Sequence, residues 1–282
     1  FLIFLRIPIG IALGVSGTLG YLALNGLDVT LALLGSIPFE ISYNYDLSII
    51  ALFVLMGNFA MVSGMSRDLY TMARSLVGHW PGGLASATIV GCAGFAAVSG
   101  SSLASAVTMG RVSLPEMERY KYHPRLATGC VAAGGTLGIL IPPSTGFIIY
   151  ALLTEESIGQ LFLAGVLPGI LLTALFMLTI YIITRFNPSI GPAGPRLSWR
   201  ERIASVWRAT NLIGIVIVVL GGIYIGVFTP VEAAAIGAFL TFLLMLARRK
   251  VTFQTMQFCV LETIKTFAMV YLIVIGAFIF NP

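Results

Sequence analysis

The chain has 282 residues, of which 58% are hydrophobic and only 10% charged, and its mean hydropathy is +0.98. A soluble domain carries roughly 25% charged residues, so the composition excludes one and reads as an all-α polytopic membrane protein embedded in a lipid bilayer. The formal net charge of +5 is no nucleic-acid signal, because it is sorted by loop. Asp28, Glu40 and Asp46, then Glu155 and Glu156, then Glu232 occupy one set of connections. Every Lys and Arg falls in the alternate set, at Arg6, Arg67 to Arg74, Arg111 to Arg125, Arg185 to Arg208, Arg248 to Lys250 and Lys265. That alternation is the positive-inside pattern and places the basic connections on the cytoplasmic side.

Phe1 to Leu5 is read as the end of a helix, and Arg6-Ile7-Pro8 as a turn, because proline does not continue a helix from within. A glycine-rich outward span follows over 8–24, then an outer loop over 25–46 with Tyr43 and Tyr45 at interface height. Residues 47–65 return inward. Ser66 to Trp80 is polar and amphipathic and is expected to lie along the inner interface.

Pro81 to Arg111 holds no charge between its ends, a run of 29 residues. One spanning helix needs roughly 20 apolar residues and two need roughly 40, and both flanks are basic. A segment that enters, stops at mid-depth and returns satisfies both constraints. Its arms are 82–98 and 103–110, and small residues such as Gly91, Gly94, Ala97, Ala104 and Ala106 let them approach closely. The tip is Ser99-Gly100-Ser101-Ser102. Non-helical backbone survives at that depth only when buried in protein or lining a wet cavity, so the hairpin implies a site.

The next uncharged run, 126–153, carries Gly138-Ile-Leu-Ile-Pro142-Pro143-Ser144 in its middle. Two adjacent prolines remove two backbone donors and disfavour helix in the residue before them. This helix is expected to break at the depth of the hairpin tip and to leave carbonyls unpaired around Gly138 to Ile141. Thr154 to Ser157 is an outer turn. Residues 158–184 go back inward with Pro168 inside. Arg185 to Arg208 forms a basic inner loop that ends in an amphipathic helix. Residues 211–228 go out and 231–247 come back; after an inner-surface stretch, 266–280 begins another outward span. The domain reading is 1–80 as scaffold helices and interfacial helix, 81–184 as a transport-type segment (hairpin 81–120, broken helix 126–153), 185–210 as the basic loop, and 211–282 as scaffold helices and the start of a second repeat. Phe1 opens inside an apolar run and Pro282 follows another, so the chain is expected to be part of a longer one. No signal peptide is evident, and an internal fragment need not show one.

The end of the first hairpin arm directs carbonyls and the negative end of its dipole at the tip, which suits a cation. The start of the second, near Ser101 and Ser102, directs N–H groups there, which suits a carboxylate. Broken helices meeting at the midplane are how many secondary transporters hold coupling ions and anionic substrates. Neither element contains a carboxylate, so a cation would be held by neutral oxygens, which favours Na⁺ over Ca²⁺. Read as pure structure, the serines cap helices and the glycines pack. Thr229-Pro230-Val231-Glu232 is a capping box, which gives Glu232 a structural role. Cys92, Cys130 and Cys259 lie far apart in apolar segments and read as small packing residues. An intramembrane serine hydrolase would need a base beside Ser99, but His79 and His123 sit at the inner surface; neither HExxH nor a P-loop occurs, so the chain is read as no enzyme. A channel would favour a continuous pore lining over broken helices.

Six stretches resemble one family: Arg6-Ile-Pro-Ile-Gly-Ile-Ala-Leu-Gly14, Leu76-Val-Gly-His-Trp-Pro-Gly-Gly83, Ser99-Gly-Ser-Ser102, Gly138-Ile-Leu-Ile-Pro-Pro-Ser144, Leu161-Phe-Leu-Ala-Gly-Val-Leu-Pro-Gly169 and Gly226-Val-Phe-Thr-Pro-Val-Glu-Ala-Ala234. Each is weak alone; together, in order through most of the chain, they are specific. The chain resembles the large membrane (M) subunit of tripartite ATP-independent periplasmic (TRAP) transporters, of the DctM type. The resemblance implies an elevator fold of the ion-transporter superfamily, with about seven or eight spanning helices plus the re-entrant hairpin. It implies Na⁺-coupled import of organic acids across the bacterial inner membrane, with a small membrane Q subunit and a periplasmic substrate-binding protein as partners. It also places a Na⁺ site among Ser99, Gly100, Ser101, Ser102, Thr136, Gly138, Ile141 and Pro142, with Ser101, Ser102 and Ser144 toward substrate. The family's chain continues further, with a second hairpin and a second Na⁺ site, so this stretch is not expected to transport alone. The alternative is a Na⁺/dicarboxylate or anion carrier of the same superfamily that works without a binding protein.

Overall fold

A computed structural model describes residues 2–281; the reading of Phe1 as part of a helix end, and of Pro282, lies outside them. After a 3-10 turn at Leu2–Leu5, twelve α-helices are described: α1 Ile9–Asn25, α2 Leu27–Ser42, α3 Ser48–Val62, α4 Met65–Val77, α5 Gly83–Ser99, α6 Ser102–Arg119, α7 Pro124–Leu140, α8 Thr145–Thr154, α9 Ile158–Phe186, α10 Trp199–Ile225, α11 Pro230–Ala247 and α12 Phe253–Phe280. Among the described residues, six stretches are long and apolar enough to cross a membrane: Tyr45–Val62, α7 with α8 taken as one, α9, α10, α11 and α12; α1 and α5 are apolar but shorter.

Three expectations are corrected. The outer loop at 25–46 is largely the helix α2. Thr30, Ile37 and Ile41 fall on one face of α2 and are buried, so the helix holds although Pro38 lies inside it. The amphipathic stretch before residue 210 and the span after it are one helix, α10; its start is fixed by a Ser198–Glu201 capping box and no proline follows. The stretch after Lys250 and the span from 266 are likewise continuous as α12, opened by Thr252 and Thr255.

α1 lies along α12, and α3 packs between α11 and α12. The hairpin helices α5 and α6 pack on each other and on α7, with α9 behind α5 and α7. Two helices join these groups. α10 runs along α4 and α11, while α4 lies across α5 and α10. α4 covers most of the stretch read as an interfacial helix, and it buries its apolar face (Met65, Leu69, Tyr70, Ala73) against the rest of the bundle. Two ion pairs fasten it: Arg74 to Glu116 of α6 at 2.7 Å, and Asp68 to Arg248 beyond α11 at 2.7 Å. The three cysteines are free and buried.

Candidate functional site: the meeting of two broken helices

One loop holds both ends of the hairpin together. The Gly82 N–H, just before α5, donates to the Gly191 carbonyl at 3.0 Å, and the His123 N–H, after α6, donates to the Ile190 carbonyl at 2.9 Å. Tyr122 strengthens the same junction by donating to the Pro192 carbonyl at 2.9 Å and accepting from the Leu84 N–H at 3.1 Å. Burial pushes its phenol pKa up to about 12, so it stays a donor at any physiological pH. The tip stands well inside the bundle. Ser102 is nine residues, or roughly 13 Å of helix, from Arg111, against a hydrocarbon core of roughly 30 Å. Ser99 reaches the same depth on α3, its Cα packed against Gly57.

Gly100 terminates α5 with φ 59°, the left-handed conformation that glycine adopts at least cost. A Cβ there would also lie 2.6 Å from the Pro143 carbonyl oxygen. The chain then extends through Ser101, whose Oγ accepts from the Ala104 N–H at 3.3 Å and caps α6. The Ser99 and Ser105 hydroxyls, both buried, lie 3.0 Å apart.

The second interruption follows from chemistry. Pro142 and Pro143 cannot donate to the carbonyls of Gly138 and Ile139, four residues earlier, so α7 stops at Leu140 and α8 starts at Thr145. The Ile139 carbonyl accepts from Ser144 Oγ at 2.5 Å; the Gly138 carbonyl loses its helical donor. The two interruptions then join. Thr145 donates to the Gly100 carbonyl through its N–H at 3.2 Å and its Oγ1 at 3.0 Å. A Cβ on Gly138 would fall 2.6 Å from the Ser101 carbonyl carbon and oxygen and from the Ser102 nitrogen. The C-terminal ends of α5 and α7 and the N-terminal ends of α6 and α8 therefore meet in one place.

Of the sequence-derived residues, Ser99, Gly100, Ser101, Ser102, Gly138, Ile141 and Pro142 belong to these two interruptions. Thr136 stands apart: it is exposed on α7, and its hydroxyl is engaged by the Ala133 carbonyl at 2.7 Å. Ser101 and Ser102 are partly exposed, whereas Ser144 is fully buried with its hydroxyl turned to Ile139. Glu232 takes its capping role, accepting from the Thr229 N–H at 2.8 Å.

A cleft of about 350 Å³ opens beside the tip, between the hairpin and α3 and α12. Ser99, Ser101, Thr108 and Arg111 line one side; Asn58, Glu262 and Thr266 line the other. The buried Thr108 hydroxyl has no partner. Asn58 donates to Thr263 Oγ1 at 3.0 Å, and Glu262 pairs with Lys265 at 2.7 Å. Sequence reasoning passed over Asn58 and Thr108; an amide inside an apolar span was the available signal for the first.

The DctM component of the tripartite ATP-independent periplasmic transporters matches residues 1–281 as a family model. The chain belongs to that family. A DctM-family relative, the C4-dicarboxylate TRAP transporter large permease protein of Pseudomonas aeruginosa, is 41% identical over 86% of this chain and 56% of its own length. The sialic acid TRAP transporter large permease protein of Vibrio cholerae is 34% identical over 99% of this chain and 65% of its own. The ectoine TRAP transporter large permease protein of Halomonas elongata is 36% identical over 66% and 43%. The chain thus spans about half the length of the curated DctM relatives it matches.

Proposed function

We propose that this chain is part of the membrane permease of a Na⁺-coupled, binding-protein-dependent importer of organic acids that works by an elevator motion in a bacterial inner membrane. The observation that carries the reading is the convergence of four helix ends at the contact of Gly100 with Thr145 and of Gly138 with Ser101. Two helix C-termini offer carbonyl oxygens to a cation, and two N-termini offer N–H groups to a carboxylate. The residues with free oxygens suit Na⁺: Ser99, Ser101, Ser102, Gly138, Ile141 and Pro142 supply neutral oxygens, while the Gly100 carbonyl is taken by Thr145, and among the described residues no three His, Cys, Asp or Glu side chains cluster as a metal site. Bound there, Na⁺ would supply the positive charge that offsets the converging carbonyl dipoles and the substrate's negative charge. The cleft beside the tip is lined mostly by apolar side chains, but Ser101, Thr108 and Arg111 set polar groups along the hairpin side that an acid group could follow. The Q subunit and the periplasmic protein belong to this reading through the family, and relatives named for a C4-dicarboxylate and for sialic acid fit an acid cargo.

The test uses the full-length protein reconstituted with both partners. Uptake of a labelled C4-dicarboxylate or sialic acid should collapse when external Na⁺ is replaced by K⁺. Each of S99A and S102A should raise the half-saturating Na⁺ concentration about tenfold, since a hydrogen bond or ligand to a charged group contributes about 1.5 kcal/mol. Uptake indifferent to Na⁺ removes the coupling, and uptake unchanged without the periplasmic protein favours the carrier alternative.

A further inference from the structure

All three tryptophans of the chain are exposed: Trp80 just after α4, and Trp199 and Trp207 in the first turns of α10, with Trp207 on the face away from the α4 contact at Ser205. Around them the sequence places His79, Arg196, Arg200, Arg202 and Arg208, against a single carboxylate, Glu201. That carboxylate is already engaged, accepting from the Ser198 N–H at 2.9 Å and its hydroxyl at 2.8 Å. α10 has 27 residues, roughly 40 Å at 1.5 Å per residue, while the hydrocarbon core needs only roughly 30 Å. Its basic first turns therefore project into the headgroup layer.

The junction is rigid. The Gly194 N–H donates to the Gly78 carbonyl at 2.9 Å, and Ser75 and Ser205 share a buried hydroxyl contact of 2.6 Å. Arg202 is held over the Trp199 ring at 5.4 Å. Two nitrogens from facing elements nevertheless stay without partners in this frame: Arg202 Nε and His79 Nδ1, both buried. Desolvation, and then the positive charges of Arg202 and Arg196, hold the His79 imidazole below its ordinary pKa. The Arg202 Nε–H is a donor left without a partner, a free-energy cost that an anion accepting from it would remove. Tryptophans anchor at the headgroup level, and basic pockets between helices on the cytoplasmic side hold anionic headgroups.

We propose that the α4–α10 junction binds the phosphate of an anionic phospholipid in the leaflet on the basic side, held by Arg202, Arg196 and His79 with Trp80 and Trp199 packed around its glycerol and upper acyl chains. The lipid would thereby brace α4, the helix ion-paired to the hairpin through Arg74 and to the far side of the bundle through Asp68. The site is independent of the transport reading.

The full-length permease, reconstituted in vesicles, tests this by tryptophan quenching. A minor fraction of acyl-brominated phosphatidylglycerol in phosphatidylcholine should quench more than the same fraction of brominated phosphatidylcholine in phosphatidylglycerol. R196E alters an exposed loop side chain and is not expected to disturb folding. It should reduce local enrichment by at least about fivefold, the scale of one basic group near the surface. R196E with R202Q should abolish the excess, and R125Q, elsewhere on the basic face, should leave it intact. Equal quenching by the two lipids, or an excess that survives the double variant, overturns the proposal. Loss of the excess on adding millimolar inorganic phosphate overturns the lipid assignment in favour of a soluble anion.

Discussion

A methyl group at residue 138 would have to occupy space within 2.6 Å of the Ser101–Ser102 peptide, which is backbone and cannot rotate away. G138A is therefore expected to separate the two broken elements and to destabilise the protein by about 1–3 kcal/mol, the usual cost of overpacking. Thermal unfolding in detergent measures this, and an unchanged Tm would mean that the contact is loose. G100A is expected to act in the same direction for two reasons, its left-handed φ and the Pro143 oxygen. At this scale much was legible. Ser99 to Ser102 and Pro142-Pro143 advertise themselves as polar or donor-free residues inside apolar runs. Thr136 was assigned to the same group from resemblance, but a helical residue's direction depends on which face packs, and Gly134, Gly135, Leu137 and Gly138 take the packed face of α7. The cleft residues were harder to read because Asn58, Thr108 and Glu262 come from three separate helices.

Helix interruption decides what the elements can do. P142A/P143A restores amide donors toward the Gly138 and Ile139 carbonyls, so α7 should lengthen toward α8 and the ion-binding carbonyls should be lost from the tip. The variant should fold, with stability equal to or above the parent, and transport without Na⁺ dependence or not at all. Full Na⁺-dependent uptake would take the interruption out of the mechanism. The ion pairs on α4 are weaker devices. Side chains in the Arg74–Glu116 pair are 27% and 29% exposed, and solvent screening limits such pairs to about 1 kcal/mol. A double-mutant cycle of R74A and E116A should return coupling of that size, with part of the single R74A effect arising from its lost contacts with Tyr120. Element boundaries followed the sequence wherever capping chemistry was local, as at Thr229–Glu232 and Ser198–Glu201. They departed from it where a helix holds with a proline inside it, as in α2.

For the whole molecule, the charge sorting makes a directional prediction. Single cysteines replacing Arg125 and Glu155, both exposed, should react with an impermeant maleimide from opposite sides of the membrane. The buried native Cys92, Cys130 and Cys259 should stay unlabelled until the protein unfolds. Labelling of both engineered sites from one side would overturn the topology. The sequence by itself determined that the chain is a multi-pass membrane protein and that the backbone breaks at Pro142-Pro143, because a long apolar run and two adjacent missing donors act locally. Only the tertiary structure decided that the two breaks touch through Gly100, Thr145 and Gly138. It alone also showed that the apolar face of α4 is buried against α5 and α10, and that Arg202 and His79 each keep a nitrogen without a partner near the α4–α10 junction. Those are contacts between residues far apart in the chain, and their partners are selected by shape and burial, which residue order alone does not encode.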